Sequence, residues 1–198
     1  MLTLASASPR RQELLRNAGI EFEVLAVDID ESRRPDEPAV DFCQRLAREK
    51  AEAAFARLQH DAVRSQRPIV AADTIVVLDG DPNAADIVLG KPADKADARR
   101  MLQALSGREH RVMTGVCVMA PGGRSMQIEI ETTAVFVVEI SDAEIDDYVA
   151  SGEPMDKAGA YAIQGRASRW IPRIEGCYFN VVGLPVARVF AMLKALRP

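Results

Sequence analysis

Pro68-Ile-Val-Ala-Ala-Asp-Thr-Ile-Val-Val-Leu78 reads as a strand buried on both faces, because eight of the ten residues after the proline are apolar. One residue breaks the pattern. Asp73 sits in the middle of the run, where an ionised carboxylate is costly unless it is paired or binds a metal. Asp is also depleted in strands. Two readings follow: an acid at a strand kink that caps a neighbouring loop, or a catalytic or metal-binding acid.

Upstream, Leu2 and Leu4 mark a short strand, and Ser8-Pro9 opens a helix that stops at Gly19. Residues 22–27 read as a strand and 28–38 as a polar loop. A helix is expected over 40–58, where Cys43, Leu46, Ala47, Ala51, Ala54 and Leu58 recur at helical spacing. Downstream, Asp79-Gly80 ends the central strand and residues 87–89 offer it a partner. A helix over 94–105 is closed by Ser106-Gly107. Residues 112–119 and 125–138 flank Pro121-Gly-Gly-Arg124 as a hairpin. Ser141-Asp-Ala-Glu144 is a capping box for a helix to about Ala150, and 153–165 read as an irregular polar loop. A last helix spans 185–196, with Val186, Val189, Phe190 and Leu193 on one face. Strands and helices alternate early around a central hairpin, so the class is α/β with a mixed sheet. Residues 1–198 read as a single domain without repeats or linkers, long enough for two lobes around one cleft.

Composition excludes several classes. Lys and Arg total 25 and Asp and Glu 29, a formal net charge of -4, with no basic stripe. A nucleic-acid partner is therefore not expected. Trp170, Tyr161 and Phe179 are too scattered for a base-stacking platform and read mostly as core. No apolar run approaches the roughly 18 residues of a membrane span. The start of the chain lacks the basic region of a signal peptide. Three widely spaced cysteines and two histidines offer neither a disulfide framework nor a Cys- or His-based metal site. A reducing, cytoplasmic setting is expected. The oligomeric state is left open, a homodimer included.

Two further features look out of place. Arg10 and Arg11 fall in the first turn of a helix, where the dipole disfavours cations. Free N–H groups there suit an anion, and a phosphate would reconcile the two; the alternative is a pair of solvated arginines. Lys50 shares the apolar face of the helix over 40–58. It either snorkels to solvent or enters a cleft as a point charge. Glu31, Lys91 and Gln164 carry weaker signals: Glu31 lies in an acidic loop, and Gly90-Lys-Pro92 lacks the spacing of a P-loop.

Taken in order, the segments resemble the Maf family of nucleotide pyrophosphatases, also called septum formation proteins. Ser6-Ala-Ser-Pro-Arg-Arg-Gln-Glu-Leu-Leu15 resembles its opening motif, Arg45-Leu-Ala-Arg-Glu-Lys-Ala51 the second and Ala71-Ala-Asp-Thr74 the third. Gly90-Lys-Pro92, Leu105-Ser-Gly107 and Thr114-Gly115 follow. Glu153-Pro-Met-Asp-Lys-Ala-Gly-Ala-Tyr-Ala-Ile-Gln-Gly165 and Val182-Gly-Leu-Pro185 complete the set.

The resemblance implies an enzyme that cleaves a nucleoside triphosphate between the α and β phosphates, with Mg²⁺ or Mn²⁺. It also implies a fold like that of the inosine triphosphate pyrophosphatases, two lobes about a central cleft. Asp73 would be the catalytic base, and Glu31 with Asp73 would hold the metal. Arg10, Arg11, Lys50 and Lys91 would meet the phosphates. Thr74 and Gln164 would meet the base. Arg10, Thr74 and Gln164 match the branch that acts on dTTP and UTP, whereas the branch preferring 7-methyl-GTP carries an aromatic, Gln and Glu there. The departures are Ala162 in place of a common Gly and a longer loop over 81–87.

Overall fold

The chain opens with β1 (Leu2–Leu4) and passes directly into α1 (Pro9–Asn17). Ser8 caps this helix by accepting the Arg11 N–H, and Pro9 occupies the first turn, where a missing N–H costs nothing. The computed structural model describes residues 1–79 and 86–196. The remaining order is β2 (Phe22–Val24), α2 (Ala39–Leu58), β3 (Ile69–Leu78), β4 (Ile87–Leu89), α3 (Lys95–Leu105), β5 (Glu109–Met119), β6 (Met126–Phe136), α4 (Asp142–Ala150), β7 (Arg173–Glu175), α5 (Tyr178–Val182) and α6 (Val186–Ala195). Among the described residues seven strands form a sheet in the order β2-β1-β3-β5-β6-β7, with β4 beside β3. β1 is parallel to both β2 and β3, while β4 is antiparallel to β3 and β7 to β6. The class is therefore the expected mixed α/β.

The chain divides into two compact units. The first holds Met1–Asp73, Thr114–Glu131 and Gly183–Pro198. Its core sets the small side chains of α2 (Ala47, Ala51, Ala54) against Ile69, Ala71, Cys117 and Met119. Small residues let the helix lie close to the strands. A Cβ on Gly115 of β5 would fall 2.5 Å from the Cys43 carbonyl oxygen, so only glycine fits. The second unit holds Thr74–Met113 and Thr132–Val182. Its core joins Val76, Leu78 and Leu89 to Leu102 and Leu105 of α3 and to Tyr148 and Trp170.

Several expectations need correction. β2 stops at Val24 rather than at residue 27, because β1 is only three residues long and runs out of carbonyls after Leu4, which accepts the Leu25 N–H. β5 begins at Glu109, three residues earlier than the apolar pattern suggests. On α6 the buried face is built on Val189 and Met192, and Phe190 points outward. Trp170 and Tyr161 are core as expected, but Phe179 is half exposed. β7 and α5 are absent from the reading of the sequence. Within the long loop expected over 81–87, residues 81–85 lie outside the described residues.

Candidate active site

In the first unit the site is built on one face of α2 and the middle of β3. The helical period that buries Cys43, Leu46, Ala47 and Ala51 also buries Lys50, which is 9 % exposed. Asp73, on β3, is 8 % exposed. The Lys50 Nζ lies 2.6 Å from Asp73 Oδ1 and 2.6 Å from Glu31 Oε1. The ammonium therefore joins a buried carboxylate to an exposed one, and snorkelling is excluded. Glu31 comes from the loop between β2 and α2.

The backbone at Asp73 is tied from two sides. Arg11 is buried and sends Nη1 to the Ala72 carbonyl at 2.7 Å and to Ser6 Oγ at 3.2 Å, and Nε to the Gly183 carbonyl at 2.8 Å. Burial lowers its pKa from the usual arginine range, an effect opposed by the nearby Asp73 charge. On the other side, the Cys43 thiol donates to the Asp73 carbonyl at 3.3 Å and accepts the Gly115 N–H at 3.0 Å. Burial, reinforced by the Asp73 charge, pushes that thiol up to about 12, so it remains protonated. Arg10 and Arg11 thus part company. Arg11 is committed to the frame of the site, while Arg10 is half-buried and forms no ion pair among the described residues.

Arg45 was not expected among the site residues. Its Nε and Nη2 grip both oxygens of Glu37, at 2.6 and 2.8 Å, and Nη2 also donates to the Ser32 carbonyl at 3.0 Å. Nη1 reaches Glu49 at 3.1 Å. This fork pins the loop that carries Glu31. The hydrogen bonds to Arg45 hold the Glu37 carboxyl down to about 2. The only prior signal for Arg45 was its place in the second motif.

Glu31 and Asp73 bring together two carboxylates, the oxygen ligands a hard cation wants, with one oxygen of each on the Lys50 ammonium. Among the described residues no group of three or more His, Cys, Asp or Glu could hold a metal. Glu31 and Asp73 would be the only two carboxylates among the candidate residues able to ligate such an ion, with its other positions left to water and phosphate.

The other three candidates belong to the second unit. Thr74 follows Asp73 on β3 and is half-buried. Lys91 is exposed between β4 and α3, and the carbonyl of Gly90 beside it accepts the Gly159 N–H at 3.0 Å. Gln164 is exposed in a turn closed by the Gly165 N–H on the Ala162 carbonyl, 3.0 Å.

A family of proteins described as Maf-like matches the chain over residues 1–196. The dTTP/UTP pyrophosphatase of Koribacter versatilis is 53% identical over 98% of this chain and 93% of its own length. Those of Chromobacterium violaceum and Geobacter metallireducens are each 49% identical, over 96% and 98% of this chain and 91% and 95% of their own. The solved structure of the Staphylococcus aureus Ham1 protein aligns over 98% of both chains with a TM-score of 0.49 and 14% identity.

Proposed function

The chain belongs to the Maf family, and from that premise we propose that it is a nucleoside triphosphate pyrophosphatase hydrolysing dTTP and UTP to the monophosphate and pyrophosphate. Its role would be to remove surplus or non-canonical pyrimidine nucleotides. The relatives named above, at about half identity over nearly full length, support the activity and the substrates. The observation that carries the chemistry is the meeting of Asp73 and Glu31 on the Lys50 ammonium, both at 2.6 Å.

Asp73 acts as the base. Its Oδ1 is held by Lys50, and Oδ2 accepts no hydrogen bond among the described residues, so it can take the proton of an attacking water. Arg11 and Cys43 fix the peptides on either side of that carboxylate's Cα. Lys50 supplies a compact positive charge, and Arg10 supplies a fork for phosphate oxygens at the start of α1. Lys91, exposed where Lys50 is buried, would add a second ammonium for the phosphates. Glu31 and Asp73 would hold Mg²⁺ or Mn²⁺, which neutralises developing phosphate charge when bound. Thr74 and Gln164 meet the base; an amide presents the donor and acceptor that match O4 and N3–H of uracil and thymine.

The test is a pyrophosphate-release screen across nucleoside triphosphates with Mg²⁺ and with Mn²⁺. UTP and dTTP should lead, each giving one pyrophosphate and one monophosphate per turnover. A lead by 7-methyl-GTP would contradict the substrate assignment, and orthophosphate as the sole product would contradict the reaction.

A further inference from the structure

The turn that carries Gln164 is held by a carboxylate from the second unit. Glu153 accepts the Tyr148 hydroxyl at 2.9 Å, and its two oxygens lie 3.1 and 3.3 Å from the Arg166 N–H. The approach is so close that a Cβ on Gly165 would fall 1.9 Å from Oε1. The donor ring is itself fixed. Tyr148 is fully buried and meets the Trp170 ring edge-on at 5.2 Å, and the indole N–H donates to Glu144 at 3.3 Å. Glu144 is the acid of the α4 capping box. The main chain at Glu153 is held as well, since Lys157 Nζ donates to its carbonyl at 2.6 Å.

These contacts fasten the peptides that follow Gln164 to α4. The Gln164 side chain is exposed and makes no hydrogen bond of its own among the described residues, so what its amide can reach is set by where that backbone carries it. Every donor aimed at Glu153 needs an acceptor, and only an ionised carboxylate offers acceptors on both oxygens. Oε1 takes the Tyr148 hydroxyl and the shorter Arg166 contact and Oε2 the longer one, so an amide at 153 would turn an NH₂ toward the Arg166 N–H.

We propose that Glu153 is a positioning residue for base selection, holding the turn that carries Gln164 so that its amide reads uracil and thymine and not cytosine. This rests on the reading of Gln164 as the group that meets the base. Uracil presents O4 and N3–H, while cytosine presents an amino donor and a bare N3. The amide can turn over to meet either edge, so the choice between them depends on where the held turn places it against the base.

The experiment is the ratio of kcat/KM for UTP to that for CTP, in the wild type, Gln164→Ala, Glu153→Gln and Tyr148→Phe. Glu153→Gln should lower the ratio by about tenfold, the scale of one misplaced hydrogen bond, and Tyr148→Phe by less. Adding Glu153→Gln to Gln164→Ala should lower it no further. If Gln164→Ala lowers the ratio but Glu153→Gln changes only the melting temperature, the proposal is overturned and the reading of Gln164 stands. If Gln164→Ala leaves the ratio unchanged, that reading falls and the proposal with it. Should Glu153→Gln fail to fold, Tyr148→Phe, which keeps the carboxylate, decides by the same criterion.

Discussion

The Lys50 ammonium and the Asp73 carboxylate stand 2.6 Å apart, each side chain only 11 % exposed. A charge pair this buried is costly to break from one side, because the survivor keeps its desolvation without its partner. Lys50 therefore has two tasks: it compensates the buried Asp73 carboxylate and offers a charge to phosphate.

Lys50→Met removes both at once. It should abolish most pyrophosphate release and also lower stability, by roughly 3 kcal/mol in thermal or urea unfolding. Combining it with Asp73→Asn should restore most of the stability and none of the turnover. A single variant that melts like the wild type and keeps its turnover would return Lys50 to a packing role.

Arg45→Met releases the loop over 28–38, because one side chain holds Glu37 at both oxygens and Ser32 at its carbonyl. Catalytic efficiency should fall on the order of 10- to 100-fold through the misplacement of Glu31. In a Glu31→Gln background the same change should add little, which a double-mutant cycle on kcat/KM measures. The Glu37 carboxyl is depressed to about 2, so the fork's contribution to stability is present above the unfolded value near 4.5 and is lost only as pH falls from there toward 2. Equal effects of Arg45→Met in both backgrounds would mean that Arg45 does not act through Glu31.

Gly115→Ala tests the seat of α2 on the sheet. The added methyl group would meet the Cys43 carbonyl at 2.5 Å, a clash with backbone that no side-chain rotation relieves. Overpacking should cost about 1–3 kcal/mol. Because the Cys43 thiol links the Gly115 N–H to the Asp73 carbonyl, turnover should fall in parallel. Full activity in a destabilised variant would uncouple the seat from the site.

His110 predicts an acid-sensitive fold. It is 2 % exposed, its Nε2 lies 2.7 Å from the Tyr161 hydroxyl, and its Nδ1 has no partner among the described residues. Burial lowers its pKa to about 4, against about 6.5 in an unfolded chain. Protons therefore bind the unfolded chain first. Stability should be complete above pH 6.5 and decline as pH falls toward 4, by about 3 kcal/mol over that span. His110→Gln, which can still accept the tyrosine hydroxyl, should flatten this slope in melting curves between pH 4.5 and 7.5. Identical slopes would show that another group carries the acid response.

The sheet and the long helices were legible because period and capping speak locally. The run at 69–78, the box at Ser141 and the face of α2 each announce an element within a few residues. The misplacement of Asp73 and Lys50 in apolar patterns was likewise visible, although only the fold brings the two together. Arg45 and Glu153 were not legible as positioning residues. Their partners lie four to thirteen positions away, and nothing in a linear pattern distinguishes such contacts from solvated side chains. Arg11 shows the same limit: its neighbour Arg10 has the same local environment in sequence, and only the carbonyls of Ala72 and Gly183 separate their fates. β7 and α5 are three and five residues long, too short for periodicity to register.

The most direct measurement is steady-state pyrophosphate release from UTP by Asp73→Asn, purified and checked for folding by its melting temperature. The amide keeps the shape of the side chain and its place beside Lys50 but cannot accept the water's proton. The variant should remain folded, still bind UTP, and lose about 10²- to 10⁴-fold in kcat. Turnover within a few-fold of the wild type would contradict the assignment of Asp73 as the base.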